Sequence, residues 1–176
     1  EHFVVSRDDS IYEAFPDVAL TQDGRLVCVF AECTHHSDRS YTRVMLTTSR
    51  DRGRTWSPKR PLTESTSGVV FYNCPRITCL RDGRLVVVVD KIHTAARSKD
   101  PESCHVQLYI SDDAGTTWAG PVATPARGIV PDRLVELSTG RWLLAAHYDD
   151  ASFGYLVQRL WISDDQGRHW EGPVIV

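Results

Sequence analysis

The sequence has little of what would place it among helical, membrane or nucleic-acid-binding proteins. No segment shows the apolar periodicity of an amphipathic helix. The apolar runs are far too short to span a bilayer, and a net charge of −3 over 176 residues gives no reason to expect binding to nucleic acid or to an anionic membrane. We therefore expect no nucleic-acid partner and no membrane association, and the 41% apolar content is that of an ordinary globular protein.

The five cysteines match neither a metal-binding pattern nor a disulfide framework. The spacings from Cys28 to Cys33 and from Cys74 to Cys79 fit no zinc motif, and Cys104 is the fifth. An odd number also argues against a secreted protein in which every thiol is paired. We therefore expect free thiols, no metal and no other cofactor, and the odd count favours the cytoplasm over an oxidising compartment.

One short pattern occurs three times. It reads S-x-D-x-G-x-[TH]-W, it spans residues 49–56, 111–118 and 163–170, and each copy follows a strand-like run. Identical spacing in three copies indicates an internal repeat, which determines the architecture. The aspartate can hydrogen-bond its own turn, the glycine permits a tight fold-back, and the tryptophan can anchor the turn on a sheet. The residues concerned are Asp51, Gly53 and Trp56, then Asp113, Gly115 and Trp118, then Asp165, Gly167 and Trp170.

The repeat unit is longer than this motif. Each copy is preceded by a glycine-arginine turn, at Gly24, Gly83 and Gly140, and an Asp-Gly turn between alternating segments is typical of a β-hairpin. Continuous β-branched runs such as residues 85–89 are too short for helices and favour strands that are buried on both faces. Four antiparallel strands per unit, repeated around an axis, form a β-propeller blade. A proline opens the first strand of each unit, at Pro16, Pro75 and Pro131.

The repeated motif resembles the Asp box of the sialidase superfamily, also called the BNR repeat, and the resemblance covers the whole chain. It implies an all-β fold, a β-propeller of four-stranded antiparallel blades, as a single unit over residues 1–176. Sialidase-like propellers have six blades, so the resemblance implies that three blades form half of a ring. The predicted blades span about residues 15–64, 72–124 and 129–176, and residues 1–14 contribute an N-terminal strand at residues 2–7.

Half a ring leaves two flanks, each with an unpartnered apolar sheet face. Monomeric proteins rarely expose large contiguous apolar patches. We therefore expect that the ring is completed, either by the remaining half of a longer chain or by a second identical chain related by a two-fold axis. The expected partners are thus a carbohydrate ligand and the other half of the ring.

The predicted strand directions separate the repeated motif from the functional site. The first strand of a blade starts at one rim, whereas its hairpin turn and the Asp box lie at the opposite rim. Sites in the sialidase superfamily lie at the first rim, near the axis, so the boxes are interpreted as structural. The candidate catalytic residues at that rim are Glu32 and Asp149, and the candidate substrate-binding residues are Asp17, His35, Tyr72, Arg76, His93, Arg133 and His147.

These residue types suit carbohydrate chemistry. Glycoside cleavage usually needs two acidic groups that flank the bond, and the forked guanidinium groups of Arg76 and Arg133 match the shape of a substrate carboxylate. A salt bridge from Arg76 to Asp17 or Asp132 of a neighbouring blade is an alternative interpretation of the same residue.

Two further stretches resemble bacterial sialidase-like proteins. In residues 30–35 a glutamate and a histidine follow the second strand, and in residues 73–76 an arginine begins an inner strand. Sialidases carry an Arg-Ile-Pro motif in the first blade, and its arginine belongs to the triad that grips the carboxylate of sialic acid. The corresponding residues 14–17 read Ala-Phe-Pro-Asp, so the proline is kept and the arginine is replaced. The tyrosine and glutamate of the family's nucleophile pair come largely from later blades.

The sequence supports one main hypothesis and two alternatives. The main hypothesis is a glycoside hydrolase, active on a sugar that carries an acid group, with its site on the rim near the propeller axis. The first alternative is a propeller that binds glycans without cleaving them. The second is a structural or assembly module that binds a partner through its open flanks.

Overall fold

The computed structural model describes residues 2–93 and 103–176, and its regular elements in these residues are all β-strands. They form three antiparallel sheets, one for each sequence repeat. The first sheet contains β1 (Tyr12–Leu20), β2 (Leu26–His35), β3 (Asp38–Ser49), β4 (Arg60–Pro61) and β5 (Thr66–Ser67). The second contains β6 (Val70–Tyr72), β7 (Arg76–Cys79), β8 (Leu85–His93), β9 (Cys104–Ser111) and β10 (Ala119–Arg127). The third contains β11 (Val135–Glu136), β12 (Trp142–Asp150), β13 (Tyr155–Ser163) and β14 (Glu171–Ile175).

The long strands of each sheet are neighbours in the order in which they follow along the chain. The orders are β1-β2-β3-β4 with β5 also on β3, β10-β9-β8-β6 with β7 also on β8, and β11-β12-β13-β14. Since β6 and β7 pair with successive parts of β8, they act as two segments of one inner strand. The prediction of an all-β fold of antiparallel sheets is therefore confirmed, whereas the half-ring arrangement of three blades stays a prediction.

The N-terminal segment differs from the expectation of a strand at residues 2–7. Residues 2–11 form no strand, and regular pairing begins at Tyr12. The Asp8 carboxylate accepts hydrogen bonds from the backbone N–H and the hydroxyl of Ser10, at 3.1 and 2.6 Å, which turns the chain locally. Lys59 of the first sheet contacts Asp8 at 3.3 Å and Glu13 at 2.8 Å. The segment is therefore attached to the first sheet by the Lys59–Asp8 ion pair and by a hydrogen bond of 2.8 Å from the Ser6 hydroxyl to Glu13, and not by a strand ladder.

Strand β8 of the middle sheet is buried on both faces, as its apolar sequence predicts. Each of residues 85–89 in β8 has an exposed fraction of 0%. Alternate side chains point to opposite faces, so one set packs with Val27 and Val29 of the first sheet. The other set packs with Trp142 and Leu144 of the third sheet. Two apolar cores therefore join the three sheets in sequence order.

The cysteines contribute to this packing as small apolar residues. All five are free thiols. Burial raises the pKa of the Cys28 thiol to about 11, and burial is also the largest cause of the raised pKa of Cys33 and Cys79. These thiols stay protonated near neutral pH and are poor nucleophiles there.

The three repeated motifs fold into turns with the same hydrogen bonds. In the second copy the Ser111 hydroxyl accepts from the N–H of Gly115 and donates to Asp113, both at 2.8 Å. Asp113 also accepts from the N–H and the hydroxyl of Thr117, at 2.8 and 2.6 Å. The indole N–H of Trp118 donates to the carbonyl of Gly115 at 3.2 Å. Equivalent bonds form in the first and third copies, where His169 replaces the threonine in the third.

The tryptophans of these turns pack at three different places. Trp56 lies against Phe30 and Met45 on the outer face of the first sheet. Trp118 joins the core between the first and second sheets, and Trp170 joins the core between the second and third. The serine of each motif pairs with the first residue of β2, β8 or β12, the strand that follows the glycine-arginine turn. All three turns therefore lie at the same end as the glycine-arginine hairpins.

Replacing Trp118 with alanine should destabilise the protein more than replacing Trp56. Trp118 contributes to a core shared by two sheets, so we expect Trp118→Ala to lower the free energy of unfolding by about 3–4 kcal/mol. Trp56→Ala, which removes the same side chain from an outer face, should cost clearly less. Urea denaturation of both variants measures the difference, and equal losses would contradict the placement of Trp118 in the shared core.

The motif aspartates should make stability depend on pH in the acid range. Hydrogen bonds from Thr117, followed by that from Ser111, lower the pKa of Asp113 to about 2. Because this folded-state value lies below the usual value of about 3.9, the stabilisation is present above about pH 4 and is lost as the pH falls towards 2. We expect the Tm difference between wild type and Asp113→Asn to shrink over that range. Asp112→Asn makes a similar charge change on an exposed neighbour, and its Tm difference should not follow the same course.

Candidate functional site

The inner strand of each sheet is interrupted at its proline. The register of β1 shifts between Ala14 and Asp17, residues 73–75 separate β6 from β7, and residues 130–134 separate an isolated bridge at Ile129 from β11. In all three sheets a backbone hydrogen bond of 2.8 Å then closes the tight turn, donated by Thr21, Leu80 and Leu137. Counting back four residues from each of these donors gives equivalent positions in the three repeats. Those positions are occupied by Asp17, Arg76 and Arg133.

A buried carboxylate holds the interruptions of the second and third sheets. Asp90 at the end of the valine run in β8 is 0% exposed. It accepts hydrogen bonds from the N–H of Cys74 at 2.7 Å, the N–H of Val130 at 2.9 Å and the side-chain amide of Asn73 at 3.2 Å. Burial is the main cause of its raised pKa, and the hydrogen bonds oppose that rise. Asp90 therefore accepts hydrogen bonds from backbone N–H groups at the places where the strand ladders are interrupted.

A second carboxylate joins the first sheet to the other two. Asp17 has a side chain only 7% exposed and accepts from the N–H of Ile77 in β7 at 2.9 Å and from the N–H of Val18 at 3.0 Å. Arg133 of the third sheet donates to both of its oxygens, through Nε at 2.8 Å and through a terminal nitrogen. This two-pronged pair spans 116 residues of sequence and fixes the orientation of the guanidinium group of Arg133.

The three interruptions surround a depression with a volume of about 580 Å3. We term it the basic depression after its two arginines, although two aspartates also line it; the lining residues are Pro16, Asp17, Arg76, Asp132, Arg133 and Val135. A second hollow of about 410 Å3 shares Arg133 and Val135 with it and continues along the inner strands.

The two arginines of the basic depression differ in their partners. The charge of Arg133 is matched by Asp17, although its side chain remains 54% exposed. Arg76 donates to the carbonyl of Pro75 at 3.2 Å and forms no ion pair with a carboxylate of the described residues. Asp132 accepts a hydrogen bond from Gln158. The arrangement can therefore bind an anionic group, with Arg76 as the guanidinium that still lacks a carboxylate.

Glu32 lies outside this depression. Its side chain is on the same face of β2 as Phe30, which packs on the outer face of the first sheet. It is only 7% exposed, accepts from the hydroxyl of Tyr41 at 2.7 Å and pairs with Lys59 at 2.8 Å. The structure thus assigns Glu32 to an ionic cluster on the outer flank and does not bring it to Arg76.

Asp149 lies on the opposite flank of the molecule. It is exposed and pairs with Leu156 in the β12–β13 ladder. Residues such as Leu144 on the other face of β12 contact the second sheet, so alternation directs Asp149 away from that sheet. The next residue, Asp150, bonds Arg159 at 2.7 Å. The two predicted catalytic acids therefore lie on opposite flanks, and neither lines the basic depression.

None of the remaining predicted residues is among those that line the depression. Tyr72 is buried between the first and second sheets, where its N–H donates to a threonine hydroxyl at 2.8 Å. His147 is half-buried and its backbone bridges to Ile129. His93 is exposed at the end of β8, and His35 is exposed on the β2–β3 hairpin. Of the nine predicted residues, the depression is lined by Asp17, Arg76 and Arg133.

Two residues at or beside the interruptions are not identified by the sequence reasoning. The structural role of Asp90 was not recognised, although an aspartate at the end of a valine run is itself a sign of a buried polar contact. Phe15 was not assigned a role, although the sequence places it directly before the proline that interrupts the strand.

Among residues 2–93 and 103–176 no cluster of histidine, cysteine and acidic side chains is arranged to hold a metal ion. Nor does any helix of these residues have the length and apolarity needed to cross a membrane.

Comparison in sequence identifies a sialidase as a relative. No protein-family model matches the chain. The sialidase of Clostridium perfringens is 25% identical over 187 residues, which cover 94% of this chain and 46% of the sialidase. The chain therefore spans about half the length of that relative.

Comparison in structure identifies the fold. A Hadza microbial sialidase matches with a TM-score of 0.74 at 19% identity, covering 92% of this chain and 37% of the other. Trypanosoma rangeli sialidase in complex with sialic acid gives 0.65 at 15% identity, with coverages of 90% and 30%. An alpha-L-arabinanase of Penicillium chrysogenum with arabinobiose gives 0.60 at 19% identity, with coverages of 93% and 49%. The chain has a sialidase-like propeller fold. At these identities the sialidase-like structures support the fold alone.

Removing the Asp90 carboxylate should test its role at the interruptions. Asp90→Ala removes the carboxylate that accepts hydrogen bonds from the N–H groups of Cys74 and Val130, so we expect the free energy of unfolding to fall by roughly 3 kcal/mol. Asp149→Ala makes the same change at an exposed position and should alter it by less than about 0.5 kcal/mol. Chemical denaturation compares the variants, and a stable Asp90→Ala protein would be inconsistent with this assignment.

Proposed function

We propose that this sialidase-like protein is carbohydrate-active and that its basic depression binds the carboxylate of an acidic sugar. One observation carries the proposal. Arg76 and Arg133 occupy equivalent positions in adjacent repeats and line the same depression, and Arg76 has no carboxylate partner there among the described residues.

The geometry of the depression suits a sugar carboxylate. A guanidinium group presents paired N–H donors that match the two oxygens of a carboxylate. Asp17 holds Arg133 through two hydrogen bonds, so less side-chain freedom is lost when a ligand binds. A volume of about 580 Å3 lies within the usual range of sites for small molecules. The sequence relative at 25% identity is a sialidase, and sialic acid carries a carboxylate.

The proposed reaction is hydrolysis of a glycoside of that acidic sugar. Such cleavage usually needs two carboxyl groups close to the bond. Asp17 is committed to Arg133, and Asp132 is the other carboxylate that lines the depression. Glu32 and Asp149 face the two flanks. They could act together only on a ligand bound elsewhere than in the basic depression. We therefore assign sugar recognition to this chain. The remaining catalytic groups are proposed to come from residues other than those that line the basic depression.

A glycan-binding role without catalysis is the second candidate. The specific observation in its favour is that the two predicted catalytic acids lie on opposite flanks, away from Arg76. A turnover assay with chromogenic glycosides of acidic sugars separates the two candidates, because both require binding and only one releases the chromophore.

We further propose that the flanks are covered in the functional assembly. Val18 and Leu20 of β1 are 43% and 61% exposed, and Val135 and Leu137 at the third sheet are 47% and 37% exposed. Exposed apolar residues along inner strands favour contact with further sheets. Either the rest of a longer chain or a second copy of this chain would supply them and complete a six-bladed ring.

Replacing Arg76 with alanine tests the proposed function. A charge-assisted hydrogen bond of about 1.5–3 kcal/mol would be lost, so the affinity for free sialic acid should fall roughly ten- to a hundredfold. Galactose, a neutral sugar, should lose much less. Arg54→Ala is the matched control, since Arg54 is an exposed arginine in the first turn motif, at the far end of the sheets.

Titrations followed by NMR or calorimetry measure the affinities of the wild type, Arg76→Ala and Arg54→Ala for each of the two sugars. Equal losses for acidic and neutral sugars would remove the carboxylate contact from the proposal. No measurable difference between Arg76→Ala and Arg54→Ala would remove the site itself.

A further inference from the structure

The same polar contact occurs at both junctions between the described sheets. The arginine of each glycine-arginine turn binds the repeated turn motif of the next sheet. Arg25 donates to the carbonyl of Ala114 at 3.2 Å, and Arg84 donates to the side-chain oxygen of Gln166 at 2.7 Å. Ala114 and Gln166 both directly precede the glycine of their motif. Each of these two arginines therefore links its own sheet to the sheet that follows.

A second polar contact runs in the same direction. Gln22, Arg81 and Ser138 each lie two residues before the glycine of their hairpin. The side-chain amide of Gln22 donates to the carbonyl of Arg81 at 2.8 Å, and the guanidinium group of Arg81 donates to the carbonyl of Ser138 at 3.0 Å. The hairpin of one sheet thus donates to the hairpin of the next sheet at both junctions.

Apolar packing repeats with the same direction. Val27, two residues after the turn arginine, lies in the core that Trp118 of the next sheet joins. Val86 has the same position in the second sheet and lies in the core that Trp170 joins. The tryptophan of a motif therefore faces the preceding sheet. Trp56 of the first motif lies on the outer face of the first sheet, where a preceding sheet would pack.

The third sheet carries the donor half of a further junction. Arg141 and Leu143 have the positions that Arg25 and Val27 have in the first sheet. Arg141 is 44% exposed and binds Asp164 of its own sheet through Nε and one terminal nitrogen. A guanidinium group has five N–H donors, so the other terminal nitrogen can still donate to a neighbouring sheet.

The first sheet carries the acceptor half. Arg52 directly precedes Gly53, as Ala114 and Gln166 precede the glycines of their motifs. Its φ angle of +62° matches the +53° of Ala114 and the +61° of Gln166. The first motif therefore has the same turn geometry as the two motifs that receive an arginine from the preceding sheet.

The outer face of the third sheet is apolar. Strand pairing and alternation place five side chains on the face turned away from the second sheet. Leu143, Leu160 and Ile162 are half-buried, and Val135 and Val174 are 47% and 50% exposed. The corresponding faces of the first and second sheets are covered by the sheet that follows. This face is therefore suited to cover by another sheet.

We propose that the outer face of the third sheet binds the first sheet of a second copy of this chain. In this junction Arg141 donates to the backbone carbonyl of the partner's Arg52, and Leu143 packs on the partner's Trp56. One chain carries both halves of the contact, so two copies related by a two-fold axis form it twice and leave neither half open. The inference rests on the proposed covering of the flanks and commits to one of its two sources.

Light scattering of the wild-type chain without sugar tests the assembly. We expect a mass of about twice 19.8 kDa at micromolar concentration. Leu143→Asp places a charge in the apolar contact and should return the mass to that of one chain. Val122→Asp makes the same kind of change at a 38% exposed strand position of the middle sheet and should leave the dimer intact.

The polar contact is tested by the dissociation constant of the dimer. Arg141→Ala should raise it roughly tenfold. Arg168→Ala removes an exposed arginine from the third motif, which faces the second sheet, and should leave it unchanged. Trp56→Ala should also weaken the dimer, because its side chain belongs to the junction and not to a core within one chain.

A gain of affinity separates the junction from effects on folding. Ser138 has the position of Gln22 and Arg81, but its side chain is too short to reach the next hairpin as theirs do. Ser138→Arg should add a hydrogen bond to the carbonyl of the partner's Gln22 and tighten the dimer roughly three- to tenfold. Ser138→Ala should leave the affinity unchanged.

Three outcomes decide between the proposals. A mass of one chain throughout the micromolar range, or open-ended assemblies, would overturn the second copy as the occupant. A dimer that withstands Leu143→Asp and is not tightened by Ser138→Arg would overturn this junction. An intact dimer that does not bind sialic acid would overturn the proposed function and support the junction.

Discussion

The carboxylates of Asp17 and Asp90 make the interrupted inner strands possible. An inner strand that breaks at a proline loses ladder hydrogen bonds, and buried N–H groups need other acceptors. Asp90 accepts the N–H groups of Cys74 and Val130, and Asp17 accepts that of Ile77. Each carboxylate therefore accepts a backbone hydrogen bond from a neighbouring sheet and stabilises an irregular stretch of backbone. The basic depression exists because these two side chains replace a continuous ladder.

The fold separates stability from recognition along the length of each strand. The repeated turns close on their own serine, aspartate and tryptophan side chains at one end of the sheets. The interruptions, with Arg76 and Arg133, lie towards the other end of the inner strands. Between the two ends β8 is buried on both faces and joins the sheets through apolar contacts. Arg76 therefore lies apart from the apolar packing that holds the sheets together.

Much of the site was predictable and part of it was not. The repeat spacing makes Arg76 and Arg133 equivalent, so their approach to one depression follows from aligning three units. Glu32 was expected beside them because it follows the second strand. Its side chain instead faces outwards with Phe30 and meets Lys59 and Tyr41. The position of a residue along its strand decides which rim it lies near. The direction of its side chain depends instead on which face of the strand packs against the next sheet.

The sequence by itself determined the repeat, the all-β class, the hairpins and the three self-contained turns, because these depend on local hydrogen bonds and on apolar alternation. Tertiary structure alone decided that Arg133 pairs with Asp17 across 116 residues, that Asp90 serves two sheets, and that Glu32 and Asp149 turn to opposite flanks. These outcomes depend on the register of each interruption and on the packing of whole sheets. A shift of one residue in a strand reverses every side chain that follows it, and only the packed cores select among the registers.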